Sequence, residues 1–199
     1  MALMQEKIPI IPQPAIASYN YTDIAEGTGI RKFYLAVQAV SGNTTYLLAQ
    51  DAVYSQGALS PSNEINISDA SITFALTAFN LPQVIEGTGY LNIGMKTSAG
   101  TGSLKATLQN NITGDIVSVS SRDTVGTGAA TMLLPMTIPR THFRDGEILQ
   151  LKIEDQNTGT LFIGADPQNR DGTNITPSTT PAAHLTASAL YIPFRIEVQ

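Results

Sequence analysis

The stretch "VIEGTGYLNIGMKT" (residues 84–97) carries the same Glu-Gly-Thr-Gly as "IAEGTGIRKFYLAV" (24–37), and Gly-Thr-Gly returns at 100–102 and 126–128. Counting two, four and six residues past the second glycine of each copy gives Leu91, Ile93 and Met95, then Leu104, Ala106 and Leu108, then Ala130, Met132 and Leu134. Past Gly29 the same offsets give Arg31, Phe33 and Leu35, so Arg31 is the one departure from an apolar series. An apolar residue at every second position is the signature of a half-buried strand. Each copy therefore reads as a glycine turn that launches a strand, the glycine supplying a positive φ that other residues resist. A phosphate-cradling loop needs a third glycine or a Gly-Lys-Ser/Thr ending and a following helix, and none of the four copies has these. The sixty-residue spacing of the two longer copies supports at most a weak duplication across two sheets.

The same period of two runs through most of the chain after residue 20. "SITFALTAF" (71–79) places Ile72, Phe74 and Leu76 on one face, and "EILQLKIE" (147–154) does so with Leu149, Leu151 and Ile153. "LYIPFRIEV" (190–198) alternates Leu190, Ile192, Phe194, Ile196 and Val198 against Tyr191, Arg195 and Glu197. Pro193 lies on the outward face of that strand, where its missing N–H restricts it to an edge or a bulge. Turn residues at "SGN" (41–43), "NNITGD" (110–115), "RDG" (144–146) and "QNTGT" (156–160) separate the strands. No long amphipathic helix is evident. The fold expected is all-β, an antiparallel β-sandwich of the jelly-roll kind over residues 21–199, preceded by an extended Pro-rich arm over 1–20.

Composition narrows the chemistry. The 199 residues are 42% apolar, enough for a substantial core, and only 14% charged, against roughly 25% in an average soluble protein. A net charge of −5 argues against nucleic acid, whose binding depends on clustered Lys and Arg. The chain has no cysteine, so disulfides and thiolate chemistry are excluded. The first twenty residues show neither a basic leader with a continuous apolar run nor a membrane span, and synthesis in a host cytoplasm is expected.

Candidate sites are few. His142 and His184 share no zinc-binding spacing, and His142 reads as a loop residue ahead of a strand. Glu26, Asp69, Asp115, Asp145 and Asp155 read as turn or outward residues, with no pair recognisable as a glycosidase couple. No catalytic residue, cofactor site or metal site is assigned. Asp166, Asn169, Asp171 and Asn174 in "GADPQNRDGTNITPSTTPAAH" (164–184) offer oxygen ligands, but the calcium-loop order fails at Gln168 and Arg170. So long an unpatterned loop suggests partner binding, with Asp166, Asn169, Arg170 and Asp171 as its contacts. In the arm, Pro9, Pro12 and Pro14 hold the chain extended, and Ile8, Ile10, Ile11 and Ile16 are too apolar for a free tail, so they seek a groove on this or a neighbouring subunit.

"LFIGADPQNRDGT" (161–173), "HFRDGEILQLKIE" (142–154) and the closing "LYIPFRIEV" resemble phrases of small jelly-roll proteins of tailed-bacteriophage virions, the capsid decoration or cement class. That resemblance implies a non-catalytic virion protein, a homotrimer, binding the major capsid protein at the capsid surface through its arm and loops. The alternative is a receptor-binding, carbohydrate-binding β-sandwich of a virus tail, baseplate or fibre. Absence of Trp weighs against a sugar platform. Tyr19, Tyr21, Tyr34, Tyr46, Tyr54, Tyr90 and Tyr191 keep the alternative open.

Overall fold

The computed structural model describes residues 28–40, 43–50, 64–67, 71–121, 124–128, 130–156, 160–164 and 188–195. Every regular element among them is a strand: β1 (Thr28–Val40), β2 (Asn43–Ala49), β3 (Glu64–Ile67), β4 (Ser71–Ala75), β5 (Gln83–Thr97), β6 (Leu104–Asn110), β7 (Gly114–Ser120), β8 (Ala130–Phe143), β9 (Leu149–Asp155), β10 (Leu161–Gly164) and β11 (Ala189–Arg195). The arm over 1–20 and most of the 164–184 loop lie outside the described residues, and with them Ile8, Ile10, Ile11, Ile16, Asp166, Asn169, Arg170 and Asp171.

The strands build an antiparallel β-sandwich. One layer runs β8-β5-β11-β1-β2, with β10 and β3 continuing from the far end of β5. The other runs β4-β9-β6-β7. Among the described residues a single parallel pair, Leu47 with Ala75, joins the layers at β2 and β4. At the opposite side β7 comes alongside β8. Consecutive stretches of chain pass back and forth between the layers, the jelly-roll habit expected from the sequence.

The alternation defines the core. Leu91, Ile93, Met95, Leu104, Ala106 and Leu108 are wholly buried, as are Leu149, Leu151 and Ile153. Phe79 bridges the layers through edge-on contacts with Phe143 at 5.1 Å and Phe194 at 6.2 Å, and Phe194 lies 6.2 Å from Phe33. Arg31, the misfit of the glycine series, points to this same side, with its guanidinium 4.5 Å above the Phe194 ring.

Two details correct the turn reading. The copies at 27–29, 100–102 and 126–128 do precede or open strands, but Gly87-Thr88-Gly89 lies inside β5, which begins at Gln83. There the register against β8 slips between Ile85 and Gly87, and Gly87 has φ of +121°. The glycine serves a bulge, a role that shares the positive-φ requirement of a turn. The two long copies also stand in one sheet, in β1 and β5 on either side of β11, rather than in two. Pro193 obeys the rule stated for it: β11 is a central strand, and its register against β5 shifts between Tyr191 and Phe194.

Candidate binding face

On the β8-β5-β11-β1 layer, the residues that alternate with the core series form the outer face. The ladders fix which of them share a row. Pro135 of β8 stands opposite Tyr90 of β5, Tyr90 opposite Tyr191 of β11, and Tyr191 opposite Lys32 of β1. In the next row Leu133 faces Asn92, Asn92 faces Ala189, and Ala189 faces Tyr34. Ser188 locks the start of β11 between its neighbours: its hydroxyl accepts the Gly94 N–H at 3.0 Å, and its carbonyl accepts the Leu35 N–H at 3.1 Å. The rows are therefore held by central strands.

The face is aromatic, apolar and sparsely charged. Tyr90 is 39% exposed, and Ile30 and Leu133 at its margins are 52% and 60% exposed. Tyr34 and Tyr191 are half-buried. Among the described residues neither Tyr90 nor Tyr191 packs its ring on another aromatic ring, whereas the core phenylalanines pair with one another. Lys32 extends across the tyrosines, its ammonium 4.2 Å from the Tyr34 ring centre and 5.6 Å from that of Tyr191. The side chain of Tyr34 raises the Lys32 pKa above the ordinary lysine value, partial burial opposing it and Tyr191 adding to it. At the rim of this face Arg195 is held by Glu86 at 2.9 Å.

Tyrosine rings with C–H-accepting faces, a seated ammonium and nearby amide and hydroxyl groups from Asn92, Thr88 and Thr137 offer stacking and hydrogen bonding. His142 is an exposed residue of β8 itself, not of the loop expected. Asp155 is half-buried at the end of β9 rather than outward. Among the described residues no three His, Asp or Glu side chains cluster as metal ligands.

The alternation in "IRKFYLAV" already separates Lys32 and Tyr34 from Phe33 and Leu35. What it conceals is that β5 and β11 bring Tyr90 and Tyr191 beside them, because register between strands distant in the chain leaves no local signal.

No family model and no curated protein matches the chain. Among solved structures, a CocE/NonD family hydrolase from Staphylococcus aureus is similar over 85% of this chain and 37% of its own, with TM-score 0.58 and 11% identity. An aminopeptidase from the marine sediment archaeon Thaumarchaeota archaeon matches over 85% of this chain and 35% of its own, with TM-score 0.48 and 8% identity. The C-terminal CBM6 of a marine laminarinase from Zobellia galactanivorans matches over 68% of this chain and 98% of its own, with TM-score 0.31 and 11% identity. The chain spans about a third of the hydrolase and aminopeptidase chains. At this identity the likeness to the hydrolase concerns the fold alone, and the other two matches carry no argument.

Proposed function

We propose that the chain is a non-catalytic glycan-binding β-sandwich, an attachment module of a virus tail, baseplate or fibre. The observation that carries this reading is the row Tyr90–Tyr191–Lys32, in which Tyr90 is exposed, Tyr191 is half-buried, and neither ring packs on another aromatic ring among the described residues. Stacking a sugar on such rings buries apolar area on both partners, while the polar rim hydrogen-bonds the hydroxyls. The virion setting is taken from the sequence resemblance. A ligand that binds only the folded state raises stability by RT ln(1 + [L]/Kd). Thermal unfolding across an oligosaccharide panel therefore tests the reading: at least one member raises the midpoint of the wild-type chain but not of Tyr90→Ala/Tyr191→Ala. A panel with no effect on the wild type contradicts it.

A second reading has its own observation. Ile30 and Leu133 expose large apolar side chains on the same face, and an apolar, weakly charged patch suits a protein surface. On that reading the chain is a capsid decoration protein, a homotrimer seated on the major capsid protein lattice. Saturable binding to empty expanded heads, lost in Ile30→Asp/Leu133→Asp, is the outcome it requires.

A further inference from the structure

We propose that the Tyr90–Tyr191–Lys32 row selects an acidic sugar, a pyranose bearing a carboxylate, with its ring on the tyrosines and its carboxylate on the Lys32 ammonium. The proposal rests on the glycan reading above and adds the charge of the ligand.

Three observations support it. Lys32 forms no ion pair with any described carboxylate, whereas Arg195 at the rim is neutralised by Glu86. A cation with no carboxylate partner among the described residues, beside the tyrosines on a chain of net charge −5, marks a place where an anion is complemented. Secondly, the ammonium is seated. Its position over Tyr34 and Tyr191 is a cation–π arrangement that holds it above the face. A lysine ammonium has three donors and no acceptor, so the N–H groups not used by tyrosine point to an incoming acceptor. Thirdly, the row has suitable spacing. Adjacent strands lie about 4.8 Å apart, so Tyr90, Tyr191 and Lys32 on three consecutive strands offer one contact per strand along a span of about 10 Å. A sugar ring over the tyrosine pair then presents a substituent at the Lys32 end.

The test is titration calorimetry of the full chain with oligogalacturonate, alginate oligomers and sialyllactose, each beside its uncharged methyl-ester form, and with poly-glutamate. The expected result is an acidic oligosaccharide bound about tenfold more tightly than its ester, as one charge-assisted hydrogen bond gives. That preference disappears in Lys32→Gln and weakens with added salt, while Tyr191→Ala weakens both forms. Equal affinity for acid and ester overturns the proposal and leaves the glycan reading standing. A preference that survives Lys32→Gln overturns it too. Binding of poly-glutamate alone overturns it in favour of an acidic peptide, and no binding by any sugar removes the glycan reading with it. Lys32 is exposed, and an unchanged thermal midpoint of Lys32→Gln separates loss of the contact from loss of the fold.

Discussion

Tyr90 and Tyr191 stand directly opposite each other across β5 and β11, turned outward, while the adjoining pair Leu91 and Leu190 is wholly buried. A fold that needs only the inner pair for its core leaves Tyr90 exposed and Tyr191 half-buried on the outer side, and such rings are available for contact.

Replacing Tyr90 with Ala should weaken sugar binding by roughly 1 kcal/mol, several-fold in Kd. Because Tyr90 is 39% exposed, stability should change by no more than about 0.5 kcal/mol. Calorimetry and urea unfolding of the same variant separate the two effects.

Gly89 admits no side chain. A Cβ there would lie 2.8 Å from the Tyr191 carbonyl oxygen and 2.8 Å from Ile138 Cδ1. Ile138 can turn, but the carbonyl belongs to the neighbouring strand, so Gly89→Ala must push β11 away from β5. A destabilisation of about 1–3 kcal/mol is expected in urea unfolding, with a parallel loss of binding because Tyr191 moves with its carbonyl.

Phe194 touches Phe33 and Phe79 and lies beneath the Arg31 guanidinium. Phe194→Ala should cost about 3–5 kcal/mol by leaving a cavity between the layers. Urea unfolding measures this directly.

The turn after β8 carries a pH dependence. Glu147 accepts hydrogen bonds from Asn110 Nδ2 at 2.7 Å and from the Arg144 N–H at 3.1 Å. Asn110 first, then the Arg144 N–H, holds the carboxyl below its ordinary value of 4.5, with burial opposing and the Arg144 charge assisting. With the folded value depressed, the unfolded chain binds more protons in that window. The stabilisation is complete above the unfolded value and is lost as pH falls through the folded one. The thermal midpoint should thus fall more steeply from pH 5 to pH 3 in the wild type than in Glu147→Gln.

The core was legible in the chain because burial on one face imposes a period of two, and Leu149, Leu151 and Ile153 could be placed from spacing alone. Gly87 was misplaced because a bulge and a turn ask the same thing of glycine. For Pro193 the physical rule left edge and bulge open, and only the neighbours of β11 decide between them. The candidate face was legible least. Lys32, Tyr90 and Tyr191 meet through ladders between β1, β11 and β5, and such distant pairings are written in no local pattern.

The central claim is that ligand meets the outer face of the β8-β5-β11-β1 layer. Amide chemical-shift mapping of the isotope-labelled chain, titrated with the tightest-binding acidic oligosaccharide, tests it most directly. The account predicts the largest shifts at Lys32, Tyr34, Tyr90, Asn92 and Tyr191. Shifts confined to the turns at 111–113 and 144–148, or to the β7 edge, would contradict it.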